Sequence, residues 1–444
     1  MRVLRGIDAG LAALTRRPGY EEPALTPASS ARTEALFGEP LTATQAVERI
    51  LADVRASGDA AVGDYANRID GADLDVLEVP RSVWEAAAQS VGAELQDALS
   101  VAAGRIRAFH EAAMPRAWDD TGAGYGLRSV AIERVGLYVP GGSAAYPSTV
   151  LMSAIPAKVA GVAEVIVCTP DPAPVTLAAA LFAGVDRLFG IGGAQAIAAM
   201  AFGTESVPQV DKICGPGNVF VSIAKRLVYG HVDIDGLYGP TETLVITDDT
   251  ATPEVVAADL LAQAEHDELA SPVLVTTSDV VAAAVERELE RQVALLEREP
   301  IAREALARQG TIVIVDSIEE AATVANAFAP EHLCLLTADP HACVGLIRNA
   351  GGIFVGETSP EVMGDYAAGP SHVMPTGATA RFASSLGVHT FLKHVPVVSL
   401  SSETAREIGP AASALARAER LTAHARAAEL RLEGAGQPSG RRRP

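Results

Sequence analysis

A chain of 444 residues, 49% of them hydrophobic, has the length for several domains with sizeable cores and is too apolar to be intrinsically disordered. Its formal net charge of -20 argues against a surface for nucleic acid or anionic membrane, which needs a basic face. The four cysteines, Cys168, Cys214, Cys334 and Cys343, form no CxxC pair and no dense framework, so they read as reduced thiols of a cytoplasmic protein. The opening "MRVLRGIDAGLAALTRRPG" lacks the apolar run of a signal peptide. The apolar stretch from Thr149 to Cys168 is broken by Pro156, Lys158 and Glu164, so no membrane span is expected.

In chain order, residues 1–30 read as a short amphipathic segment and a Pro-rich link. Residues 42–116 are helical by pattern: "TATQAVERILADVRASGD" has a Thr start, a 3.6-type apolar spacing and a Gly stop. From about residue 130 the period changes. The β-rich runs "SVAIERVGLYVPGG", "VIVCTP", "RLFGIGG" and "VDKICGPG" alternate with helical ones, which implies a parallel sheet covered on both faces. A second alternating set follows. Its strands are "TLVITD", "PVLVTT", "TIVIVD", "HLCLLT" and "GGIFVGET", and a long charged helix lies around 279–309. The early helices are expected to pack on this second sheet. The C-terminal region returns to helix and ends in "GAGQPSGRRRP", which reads as a disordered tail. The pattern implies an α/β fold built on two open parallel sheets.

Three glycine-rich turns follow predicted strands of the first sheet: "YVPGGSAAYPS" (138–148), "GIGGAQA" (190–196) and "CGPGNVF" (214–220). Each leads into a helix and carries a polar residue, Ser143, Gln195 or Asn218. Glycine lets backbone N–H groups approach a phosphate, and a helix N-terminus adds a favourable dipole. None of the three matches G-x-G-x-x-G. Tight turns needing positive φ explain any one of them; three in one sheet favour a nucleotide or another anion.

Polar groups gather in four more places. Gln263 and His266 lie three apart in "LLAQAEHDELASP", so both face one side of a helix and can offer an oxygen and a nitrogen to a metal. Glu265, Asp267 and Glu268 in the same stretch read as structural or solvated helix-end groups. Asp365 and His372 share a Gly/Pro loop just past a strand, a usual place for function. Glu331 and His332 stand together before a strand, where alternation should turn them opposite ways, although they could still share acid/base work. Glu419 and His424 lie on a late helix. Gln, His, Asp and His form a mixed N/O set that suits Zn²⁺, with Co²⁺ or Mn²⁺ as alternatives. Cys214, beside a glycine-rich turn, has no adjacent histidine to activate it and reads as a packed thiol.

At these residues the chain resembles the histidinol dehydrogenase family. The matching stretches are "VGLYVPGGSAAYPSTVLM", "GGAQAIAAMAFGTESVPQVDKICGPGN", "DLLAQAEHD", "FAPEHL", "GDYAAGPSHVMPTG" and "RLTAHAR", spread over residues 30 to 433. The resemblance implies two incomplete Rossmann-like parallel-sheet domains with small N- and C-terminal helical extensions. The implied boundaries are 1–25 for the N-terminal extension, 26–133 with 242–383 for a discontinuous α/β domain, 134–241 for the NAD-binding domain, and 384–444 for a dimerisation extension. It also implies oxidation of L-histidinol to L-histidine through histidinaldehyde, with NAD as cofactor and one Zn²⁺ per subunit of a homodimer. The implied zinc ligands are Gln263, His266, Asp365 and His424, and the implied catalytic pair is Glu331 and His332. Tyr138, Gln195 and Asn218 match nucleotide contacts. Thr241, His372 and Glu419 match substrate contacts, as do the four zinc ligands and His332. In such a dimer His424, with Glu419, comes from the partner chain.

The resemblance departs at Thr241 and Ser371, where many members carry Ser and Asn. Both positions are expected near the substrate, which leaves a paralogue acting on another amino or polyhydroxy alcohol as the alternative.

Overall fold

Strand β1 (Arg2–Arg5) opens the chain and pairs in parallel with β11 (Thr311–Ile314), so the N-terminus extends a sheet before its helix Ile7–Leu14 begins. The expected helical extension therefore starts as an edge strand. The computed structural model describes residues 1–16, 25–72, 74, 76–141 and 145–434. Ser143 and the expected disordered tail from residue 435 lie outside the described residues.

After the early helices come β2 (Trp118–Asp120), β3 (Tyr125–Ala131), β4 (Arg134–Tyr138), β5 (Glu164–Cys168), β6 (Arg187–Phe189), β7 (Lys212–Cys214) and β8 (Asp233–Ile234). Then follow β9 (Glu242–Thr247), β10 (Ser271–Thr276), β11, β12 (His332–Leu336), β13 (Gly352–Val355) and β14 (Leu392–Val398). One parallel sheet has the order β6-β5-β4-β7-β8, and another has β1-β11-β10-β9-β12-β13. In each, the first strand of the alternating run, β4 or β9, sits in the middle, and the chain winds out one way before reversing. The two sheets thus share a doubly wound topology, with β1 added at one edge. Their inner strands are buried on both faces, β9 and β12 along their whole length, while the edge strands β1, β8 and β13 are partly exposed.

The helices between residues 43 and 112 do not cover the second sheet as expected. Val47, Ile50 and Val54, on one face of the helix Ala43–Tyr65, belong to the same core as Ile166, Phe189, Ile197, Met200 and Val221 of the five-stranded sheet and its helices. Residues 77–79 extend that sheet by hydrogen bonds from Val79 N to Leu188 O and from Gly190 N to Leu77 O. The apolar stripe announced a partner but could not say which of two similar sheets would supply it.

The chain divides into two units, Met1–Ala113 with Ile132–Phe391, and Met114–Ala131 with Leu392–Pro444. The first holds both parallel sheets. The second has the antiparallel sheet β14-β3-β2 and the helices Ser402–Ala418 and Thr422–Gly434. The run "SVAIERVGLYVPGG" is therefore two strands in two sheets. The expected long helix around 279–309 is also two, Asp279–Val293 and Glu299–Arg308.

A buried ion pair fixes the turn after β7. Lys225 and Asp235 are each 2% exposed at their side chains and lie 2.5 Å apart. Lys225 Nζ also donates to Gly215 O at 2.8 Å, and Gly215 N donates to Asp235 Oδ2 at 2.7 Å. Gly215 has φ +110° and sits against the Tyr138 carbonyl, where a Cβ has no room. Replacing Lys225 by Met should leave Asp235 buried and unpaired, lowering stability by about 3–5 kcal/mol in urea unfolding. Lys225→Met with Asp235→Asn should recover part of that loss; a single variant as stable as the parent contradicts the assignment.

Candidate active site

The two sheets reach the site by opposite ends. The five-stranded sheet presents carboxyl ends: Tyr138 closes β4, and the turns with Gln195 and Asn218 follow β6 and β7. This is the usual ligand side of a doubly wound sheet, at its switch point. The six-stranded sheet presents amino ends, with Thr241 just before β9 and Glu331 just before β12. The helix Pro253–Ala264 runs back from β9 and delivers Gln263 and His266 to the same end.

These groups line a cleft of about 850 Å³, which takes in Asn218, Thr241, Gln263, His266, Glu331, His332, Asp365 and His372. An adjoining cleft of about 550 Å³ takes in Gln195, Arg32 and Arg68, and Asn218 lines both. Glu265, expected off the ligand face, also lines the larger cleft. Asp267 accepts from Leu269 N at 2.8 Å and so serves the local turn. Glu268 is exposed. Glu419 and His424 are exposed residues of the second unit.

Glu331 and His332 do not turn apart. Glu331 precedes the pleated strand, and its Oε2 lies 3.7 Å from His332 Nδ1. Thr241 Oγ1 is 2.6 Å from Glu331 Oε2 and 2.6 Å from Gln263 Oε1. A hydroxyl has one proton and cannot donate to both at once. Burial pushes Glu331 up to about 7, against the pull of His332 and the hydrogen bonds from Thr241 and Glu242 N.

His332 is held on both sides. Its Nδ1–H donates to Glu242 O at 3.2 Å, which leaves Nε2 as the cleft-facing atom, 3.2 Å from Asp365 Oδ1. Burial alone would push His332 down, but Glu331, Asp365 and Glu361 more than offset it and hold the ring at about 10. Its ring stacks on Phe354 with centroids 5.8 Å apart. Gly364 presses against that phenyl ring, where a Cβ would lie 2.5 Å from Cε1. Asp365 is the converse case. Burial works against its charge, but the His332 hydrogen bond and the nearby His372 and His266 rings hold it below the usual carboxylate range.

His372 has both ring nitrogens engaged, Nδ1–H donating to Asp365 O at 2.8 Å and Nε2 accepting from Thr149 Oγ1 at 3.2 Å. Burial lowers its pKa, and desolvation beside the cleft lowers that of His266, whose ring keeps an exposed edge. Tyr138 is 4% exposed, and its hydroxyl accepts from Gly193 N at 3.2 Å. Asn218 caps the helix Val219–Val228 by accepting from Phe220 N and Val221 N, leaving its amide N–H groups for a ligand. Gln195 is fully buried, and neither its amide oxygen nor its nitrogen has a partner among the described residues. Cys214 is buried, and burial pushes its thiol well up, as expected of a packed cysteine.

Two acids escaped the sequence reading. Glu242 is 3% exposed, pairs with Arg16 at 2.6 Å and accepts from Gly377 N at 3.0 Å. Glu361 is fully buried and accepts from Thr243 Oγ1 at 2.6 Å. Glu242 was legible only as the end of "YGPTE". Glu361 opens a short helix, where an acid needs no special reason.

Thr241→Val should leave Gln263 Oε1 and Glu331 without their shared hydroxyl and destabilise the protein by about 1–3 kcal/mol. Thr241→Ser should melt close to the parent. Equal melting of the Val and Ser variants contradicts the arrangement.

The histidinol dehydrogenase family model matches residues 38–432. The chain is 51% identical over 443 residues to histidinol dehydrogenase of Deinococcus radiodurans, covering 98% of this chain and 100% of the relative. It is 47% identical over 440 residues to the enzyme of that name from Dehalococcoides mccartyi strain CBDB1, with coverage of 98% and 100%. The crystal structure of histidinol dehydrogenase from Elizabethkingia anophelis superposes with a TM-score of 0.90 at 33% identity, over 98% of this chain and 99% of the other. The doubly wound α/β units, the acid/base pair and the sequence likeness agree: this chain belongs to the histidinol dehydrogenase family, the oxidoreductases of histidine biosynthesis.

Proposed function

We propose that the protein is a zinc-dependent enzyme that oxidises L-histidinol through L-histidinaldehyde to L-histidine, the last step of histidine biosynthesis, and reduces two NAD⁺. The observation that carries this reading is one cleft that holds the Glu331–His332 pair, the donors Gln263, His266 and Asp365, and the Asn218 turn.

The donor set fits zinc. An amide oxygen, an imidazole and a carboxylate suit this ion, which takes four ligands. Among the described residues no three His, Cys, Asp or Glu side chains form a metal-binding group, so the cleft needs a further ligand. His424 of a partner subunit is that ligand in this reading, with Glu419 beside it against the substrate. The second unit leaves apolar side chains in water, with Trp118 51%, Val398 70% and Leu415 66% exposed, which supports a homodimer. A zinc ion bound here supplies positive charge that holds the substrate's amino and imidazole nitrogens.

The clefts also fit a dinucleotide. Gln195 offers a buried amide with no other partner among the described residues, Asn218 offers its free N–H groups, and Tyr138, which lines neither cleft, holds the Gly193 turn through its hydroxyl. NAD⁺ bound there supplies the hydride acceptor.

His332 is the base for both oxidations. Its Nδ1–H bond to Glu242 O fixes the tautomer, so Nε2 takes the proton of the alcohol and later that of the hydrated aldehyde. A cation held by Asp365 would draw on the same carboxylate that now faces Nε2. Glu331, neutral or charged near pH 7, activates the water that hydrates the aldehyde. His372, with both nitrogens occupied, shapes the wall of the substrate site and ties its loop to the end of the helix Glu361–Tyr366, where Asp365 sits in place of the expected loop. The four unpaired cysteines agree with a cytoplasmic setting. No helix among the described residues is long and apolar enough to cross a membrane.

Neither departure from the family favours another substrate. Thr241 keeps the hydroxyl that binds Gln263 and Glu331, and Ser371 lines a different cavity. NADH formation with L-histidinol should greatly exceed that with simple diols and reach two NADH per alcohol consumed. A chelator should abolish it and added Zn²⁺ restore it. Equal rates with simple diols, or turnover without NAD⁺, would overturn this reading.

A further inference from the structure

We propose that a cavity behind the loop of residues 367–377 binds a small anion through its carboxylate or phosphate group. The cavity, about 510 Å³, is lined by His110, Arg348, Ser371, Ser384, Ser385 and His389 together with small and apolar residues. It is separate from the two clefts already described. The chain carries a net charge of -20, yet no carboxylate lines this cavity among the described residues. Its polar lining is one guanidinium, two imidazoles and serine hydroxyls.

His110 is the second observation. It is 1% exposed, and neither ring nitrogen has a partner among the described residues. Buried polar atoms are almost always paired, so an imidazole with two orphaned nitrogens beside a cavity marks the place of a ligand. His389 shares that corner: a Cβ built on Gly387 would lie 3.0 Å from His389 Cε1 and 3.7 Å from His110 Cε1. Burial first, and then His389, lower His110 to about 4, so the ring is neutral and donates from one nitrogen. Arg348 forms no ion pair among the described residues. One unpaired cation with the His110 N–H and the Ser371 and Ser384 hydroxyls is the usual apparatus for an oxyanion. A metal ion fits poorly, because two imidazoles have no carboxylate or thiolate beside them to complete a coordination shell.

The location ties this cavity to the active site. Ser371 immediately precedes His372 on the substrate loop. On the opposite wall Ser385 Oγ donates to Gly351 O at 2.7 Å, and Gly351 N donates to Pro330 O at 2.9 Å, next to Glu331. An occupant therefore touches both the His372 loop and the segment that leads into the catalytic pair. Ser371 is also one of the two positions where the chain departs from the family, and its short side chain leaves the cavity open.

Calorimetric titration of the zinc-loaded protein tests the site, with inorganic phosphate in one series and succinate in the other. The site predicts saturable binding of one anion per chain in at least one series, which identifies the group it prefers. Arg348→Ala, at an exposed residue, should weaken that binding by about tenfold, the scale of one charge-assisted contact. NADH formation and thermal stability should stay unchanged in that variant. Ser371→Asn should reduce binding by filling the cavity. Absence of saturation by both anions, or saturation that Arg348→Ala leaves unchanged, would overturn the proposal.

Discussion

Thr241 carries one hydroxyl proton and faces two buried acceptors, each at 2.6 Å. That shortage organises the site. It couples Gln263, at the end of a helix, to Glu331, at the start of the neighbouring strand β12. The register allows this, because β9 and β12 are adjacent parallel strands with His332 paired to Thr243. Their amino ends therefore carry Thr241 and Glu331 side by side. Burial favours a neutral Glu331, against the pull of His332 and of the hydrogen bonds from Thr241 and Glu242 N.

Charge in the cleft is held in balance by proximity. Glu331 and His332 each oppose the shift that burial would impose on the other, and Asp365 reinforces the histidine. Glu242 takes its countercharge from Arg16, so the N-terminal segment contributes to the site although it carries no reacting group. On the five-stranded sheet, the Lys225–Asp235 pair serves the same end by clamping the Gly215 turn. Exposed ion pairs elsewhere, such as Arg5 with Asp279, position nothing comparable.

Much of this was legible in the sequence. Continuous apolar runs announced parallel strands, and the i, i+3 spacing put Gln263 and His266 on one face. Pattern could not choose which sheet the helices of residues 43–112 would cover, because both sheets offer an apolar surface of the same kind. It also failed at Glu331 and His332. Alternation applies inside a strand, and Glu331 stands one residue outside it. Glu361 and Glu242 gave no signal, since an acid at a helix start or beside a proline turn looks ordinary until its burial is known. The role of His424 came from resemblance; by pattern it is a solvated helix residue, and its own unit leaves it exposed.

The proposed metal site on Gln263, His266 and Asp365 is complete only with His424 of the partner subunit. The direct measurement is NADH formation by mixed dimers of His424→Ala and Gln263→Ala subunits, each inactive alone. In the heterodimer one site carries both defects and the other carries neither, so the account predicts that activity returns on mixing. Activity that stays absent although heterodimers form would contradict it and return His424 to the surface of its own chain.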